Sequence, residues 1–209
     1  FRSALDHPDV CGISIATRPD CLGIEVLDLL AKLRDEYPDK FLWIELGLQT
    51  IHEDTARYIR RGYPLSCFEQ ACADLKALQI PFIVHTILGL PGETNIQLLQ
   101  TMDYLNRIQP FGIKLQLLHV LKDTDLADDY LAGKFEALTF DAYIDLVISC
   151  LAHLSPDIVI HRVTGDGPKN LLIAPTWSMN KRGVLNELHH RMKKQGIRQG
   201  DLFPKDNYS

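Results

Sequence analysis

Five short, mostly apolar runs at residues 10–16, 41–48, 81–88, 112–118 and 158–162 alternate with longer segments whose apolar residues recur at three- and four-residue spacing. Val26, Leu27, Leu30 and Leu33 in residues 24–36 show that spacing most plainly. The same reading predicts helices over residues 53–61, 65–79, 124–132 and 139–154, and one capped by Thr94 that runs to Ile108. Strands joined by helical crossovers return to the same end of a sheet, so the expected class is α/β with a parallel sheet covered by helices. Five strands are too few for a closed eight-stranded barrel. Residues 10–16 carry no charge and, as an edge strand, would need a neighbour.

In parallel α/β folds ligands sit at the carboxyl ends of the strands. Thr17, Arg18, Gly47, Gln49, Gly89, Gly92 and His119 fall at such ends, so one cleft is expected to gather them. The formal charge of −5 argues against a broad cationic face for duplex nucleic acid, although residues 181–198 carry a local basic helix. No apolar run approaches the roughly 20 residues that cross a bilayer. The five cysteines, Cys11, Cys21, Cys67, Cys72 and Cys150, are too scattered to form a metal-ligand set and suit a reducing, cytoplasmic setting. No linker divides the chain.

Three segments carry a family likeness: Glu45-Leu46-Gly47-Leu48-Gln49-Thr50, Arg60-Arg61-Gly62-Tyr63, and His85 through Thr94 with its Gly89-Leu90-Pro91-Gly92-Glu93 turn. In this order they resemble the later part of radical S-adenosylmethionine (radical SAM) enzymes. The nearest likeness is to the uncharacterised Fe-S oxidoreductase group of the YhcC/YtqA type. Ile15 through Cys21, Gly112-Ile113-Lys114-Leu115, Leu171 through Pro175 and Trp177 through Lys181 extend the likeness over almost the whole chain.

The resemblance implies a partial (β/α)6 TIM-like barrel, with residues 1–155 as the later part of the barrel and 156–209 as an extension packed on it. It implies S-adenosylmethionine as cofactor and a 4Fe-4S cluster held by a C-x3-C-x2-C loop. That loop and the first strands are absent from these residues, so the ligands are expected upstream and the chain alone is expected to be inactive. The implied reaction is reductive cleavage to a 5′-deoxyadenosyl radical acting on an unknown substrate. A flavodoxin or ferredoxin would serve as electron donor.

Carried over by position, Gln49 would hold the cofactor ribose, and an amide suits a pair of hydroxyls because it both donates and accepts. Arg61 would pair with the methionine carboxylate, where a planar fork fits. His85 stands where relatives carry Asp toward the ribose. Gly89, Pro91 and Gly92 would form the turn beside adenine, His119 would line the same pocket, and Thr17 or Arg18 would compensate for Ala16, where related enzymes place Glu. Each has a plainer reading: Gln49 as a strand-end polar group, Arg61 as a helix-end cation, His85 as a satisfied core histidine, the glycines as a common turn and His119 as a loop residue. His161, Arg162 and Asp166 leave a substrate-side role open. Rival functions are tRNA modification and a noncatalytic binding or assembly module. A metal-independent hydrolase fits less well, for want of a nucleophile with an acid/base partner.

Overall fold

The computed structural model describes residues 1–165 and 167–204 and bears out the strand-helix alternation. Its strands are β1 (Gly12–Thr17), β2 (Phe41–Gln49), β3 (Phe82–Leu88), β4 (Gly112–Leu117), β5 (Val120–Leu121), β6 (Val159–Arg162) and β7 (Leu172–Ala174). The helices are α1 (Arg2–Leu5), α2 (Ile24–Glu36), α3 (Glu53–Tyr58), α4 (Leu65–Ala77), α5 (Asn95–Ile108), α6 (Asp125–Leu131), α7 (Phe140–His153) and α8 (Lys181–Gln195). One parallel sheet runs β1-β2-β3-β4-β6, and β5 pairs with β7 in a small antiparallel ribbon. The sequence pattern gave no sign of that ribbon, because two- and three-residue strands carry no measurable period.

Local chemistry sets the helix ends. Thr94 accepts from the Gln97 backbone while the Gln97 side chain returns to the Thr94 backbone, a reciprocal cap for α5. Thr124 and Thr139 cap α6 and α7 in the simpler way. The helix expected over residues 53–61 stops at Tyr58, and Arg60 takes φ +54°, turning the chain into the next loop.

The strands are not uniformly apolar. On β2, Leu42, Ile44, Leu46 and Leu48 are buried beneath the helices, while Trp43, Glu45, Gly47 and Gln49 face the other way and are partly exposed. A side-chain period of two makes this split unavoidable. The helix-facing set joins Val84, Leu88, Leu115, Met102, Leu105 and Val147 in the main core. Each fully buried side chain there contributes about 1.5–3 kcal/mol. Val184 and Leu188 of α8 belong to the same core, and β6, from the segment expected as an extension, completes the main sheet. Val120, Ala127 and Ala174 form a separate small core around α6 and the ribbon.

Candidate functional site

The corner between β2 and α3 is built on unusual backbone geometry. The β2–β3 register slips between Gly47 and Gln49, and Gln49 adopts φ +65°. Such a conformation costs a non-glycine residue of order 1 kcal/mol or more and is found where surrounding structure enforces it. Gly47 makes room: a Cβ there would lie 2.8 Å from Gln49 Nε2 and 3.0 Å from the Tyr63 hydroxyl, which donates to the Gly47 carbonyl at 2.5 Å. The Gln49 side chain therefore lies across Gly47, the cross-strand neighbour of His85. Among the described residues the Gln49 amide makes no hydrogen bond.

Arg61 closes the corner. Its side chain is 1% exposed. Nε donates to the Tyr63 carbonyl at 2.9 Å, Nη1 to Thr50 at 2.7 Å and Leu48 at 3.3 Å, and Nη2 to Glu53 Oε1 at 3.0 Å. Glu53 Oε1 also accepts from the Leu65 backbone at 2.6 Å, which fixes the start of α4. Thr50 Oγ1 donates to Glu93, whose carboxyl is pushed up chiefly by burial, and His52 Nε2 meets the Gln97 carbonyl at 2.9 Å. These contacts bind the Gln49-Thr50 corner to the turn after β3.

A cavity of about 660 Å³ opens at this rim. Gln49, Arg61 and Arg18 line it with Asp125 and Asp129 of α6, and Ile87, Leu90 and Leu118 supply apolar wall. The volume lies within the ordinary range for small-ligand sites. Arg18 is held by Asp20 in a two-point pair at 2.9 and 2.6 Å, with its Cζ 5.3 Å from the Tyr63 ring.

Of the eight residues singled out from sequence, Gln49 and Arg61 line this cavity. The expected Arg61 fork is not presented to it, because four of its five N–H groups are already engaged by three carbonyls and Glu53. Gly89 (φ +82°) and Gly92 (φ +80°) form the turn around Leu90, where a Cβ on Gly89 would strike Leu138 at 2.7 Å. Pro91 is half-buried in that turn, and Thr17 bonds only the Arg18 carbonyl, at 3.4 Å. His119 lies against Gly165 and Gly167 instead of lining the cavity. Asp166 lies outside the described residues.

His85 belongs to a row that sequence reasoning missed. On the sheet face away from the helices, Glu45 accepts from Ser14 Oγ at 2.7 Å, His85 Nε2 at 2.7 Å and the Lys114 ammonium, while Gln116 Nε2 donates to His85 Nδ1 at 2.9 Å. An amide nitrogen can only donate, so Nδ1 is the acceptor and the ring proton sits on Nε2. Both ring nitrogens are spent, and the expected ribose contact of His85 has no free atom to make it. Burial pushes Glu45 up, but the bonds from Lys114, Ser14 and His85 outweigh it and hold the carboxyl at about 2. Burial lowers His85, against the raising effect of Glu45, so the imidazole is neutral. Below this row Trp43 meets Phe41, Phe111 and His161 at ring distances of 4.3, 5.2 and 5.4 Å. The legible signal was polar residues at every second position: Glu45, Gly47 and Gln49 on β2, Lys114 and Gln116 on β4.

No set of three His, Cys, Asp or Glu side chains among the described residues is arranged to hold a metal. No helix among them is long and apolar enough to cross a membrane.

Comparison with known families gives a match to the Radical SAM superfamily over residues 2–105 and to the Radical_SAM C-terminal domain over residues 110–194. The chain is 42% identical over 203 residues to the uncharacterized protein YtqA of Bacillus subtilis (strain 168), covering 97% of this chain and 62% of that protein. It is 30% identical over 202 residues to protein YhcC of Escherichia coli (strain K12), covering 97% of this chain and 65% of that protein. The chain thus spans a little under two thirds of the length of these relatives. Among solved structures, the archaeal Methanocaldococcus infernus Elp3 shares the fold with a TM-score of 0.77 at 19% identity, over 90% of this chain and 43% of that one.

Proposed function

The chain belongs to the radical SAM superfamily, and from that premise we propose that it forms the S-adenosylmethionine-holding part of an enzyme that cleaves this cofactor reductively and acts on a substrate not yet identified. The observation that carries the reading is the unpaired Gln49 amide, held in a left-handed conformation at the edge of a 660 Å³ cavity. An amide in that position offers donor and acceptor together to a sugar diol. Ile87, Leu90 and Leu118 offer apolar surface to an adenine, and the positive-φ glycines flanking Leu90 let the chain turn tightly there.

Arg61 acts in this reading by holding the corner that displays Gln49. The ligand carboxylate falls to Arg18, which lines the same cavity and keeps N–H groups beyond those paired with Asp20. His85, locked between Glu45 and Gln116, takes no part in holding the ribose in this reading.

The superfamily's cluster does not fit the described residues of this chain, so its ligands are assigned to the remainder of the parent protein. Bound S-adenosylmethionine would supply the radical chemistry, and these residues would bind, orient and shield it. The test is anaerobic reconstitution of the full-length protein, followed by dithionite reduction with S-adenosylmethionine. Release of 5′-deoxyadenosine, with cofactor affinity reduced about five- to tenfold by Gln49→Ala, as expected for one or two lost hydrogen bonds, supports the proposal. No cleavage and no binding overturn it.

A further inference from the structure

The polar row on β2–β4 lies outside the cavity just assigned and is expensive to keep. An ion pair shielded from water is usually no more stable than apolar residues of the same shape, and barrel interiors are commonly filled by branched aliphatics. Here Glu45 and Lys114 are each only 14% exposed on their side chains. A layer of such charge on an inward face is better explained by a ligand than by stability.

Lys114 has three N–H groups and spends one, on Glu45. A second cation stands beside it. The β4–β6 register slips between Ile113 and Lys114, which brings Arg162 level with Lys114 across the two strands. The slip sets His161 and Arg162 together opposite Lys114, and Arg162 is near enough to His85 to act on it electrostatically. Among the described residues Arg162 makes no ion pair. Two cations thus share one counter-ion, Glu45. The remaining titratable neighbours among the described residues, His85 and His161, are both pushed down by burial and add no charge near neutral pH. Among the described residues the local balance is one uncompensated positive charge above an aromatic floor of Trp43, Phe111 and His161.

We propose that Lys114 and Arg162 form an anion-binding site on the sheet face away from the helices, with Glu45 positioning the lysine, and that it takes a carboxylate or phosphate group of the substrate. Naming the anion as the substrate's rests on the function proposed above; the anion site itself does not. Glu45 keeps the ammonium in place through its bonds to Ser14 and His85, and it also sets a limit on affinity by opposing any incoming negative charge.

The site is tested by NMR of the lysine ammonium groups in ¹⁵N-lysine-labelled protein, titrated with sodium acetate and, separately, sodium phosphate at fixed ionic strength. Methylammonium chloride serves as control. The signal that Lys114→Met removes identifies Lys114. A saturable shift of that signal with acetate assigns a carboxylate, and one with phosphate a phosphoester. Arg162→Met, at an exposed position that leaves the core untouched, weakens binding at least tenfold, and Glu45→Gln tightens it several-fold. Absence of a saturable shift, or binding unaltered by Arg162→Met, overturns the proposal. S-adenosylmethionine affinity of the full-length protein is measured separately: its failure alongside an intact anion response removes the cofactor reading and leaves the anion site standing.

Discussion

Replacing Arg61 by Ala separates two roles that the sequence alone could not. If the guanidinium clasps the β2–α3 corner, the ligand-free protein loses stability. Truncation strips the Thr50 and Tyr63 carbonyls of their charged donor, while the Leu48 carbonyl keeps its bond from the Thr50 backbone. Two buried acceptors left wanting cost about 1–2 kcal/mol each. Loss of the half-exposed Glu53 partner adds under about 1 kcal/mol. Contact with the Tyr63 ring, 5.2 Å from Arg61 Cζ, adds about 0.5 kcal/mol. Recovered desolvation of the guanidinium offsets part of this, giving a net loss of about 3 kcal/mol. For a chain of this size each kcal/mol lowers Tm by about 2–4 °C, so a fall of about 6–12 °C is expected. Thermal melts followed by circular dichroism without ligand measure it, and Arg61→Lys recovers about half, because a lysine lacks the fork. A ligand-free Tm within about 2 °C of the parent, together with weakened S-adenosylmethionine binding, would refute the clasp and return Arg61 to direct contact.

Gln49→Ala leaves Tm within about 2 °C, since the amide has no internal partner to lose, while cofactor affinity falls; calorimetric titration and melts on one preparation check both. Glu45 governs an acid limb of stability. Its folded carboxyl lies at about 2 against an ordinary 4.5, so its contribution is complete above about pH 4.5 and fades as pH falls toward 2. Urea unfolding between pH 2.5 and 5 shows this as a declining midpoint, and Glu45→Gln flattens that limb. Gly89→Ala places a Cβ 2.7 Å from Leu138 at φ +82° and destabilises the fold by about 2 kcal/mol, read from the urea midpoint; an unchanged midpoint would mean that the turn relaxes freely.

Periodicity alone settled the alternation of strands and helices, the parallel sheet and several helix ends, because those features follow from short-range chemistry: apolar spacing in α2, the Thr94–Gln97 cap, glycines at the turn after β3. The order of motifs along the chain was enough to point to a family. Which atoms remain free to act was a different question. Arg61, just past α3, and His85, within β3, are suitable residue types, yet their polar atoms are consumed by Thr50, Tyr63, Glu45 and Gln116, partners up to 40 residues distant. Lys114 and Arg162 become neighbours only through a one-residue slip between β4 and β6. Hydrogen-bond capacity is finite, and only the packed chain decides how it is divided.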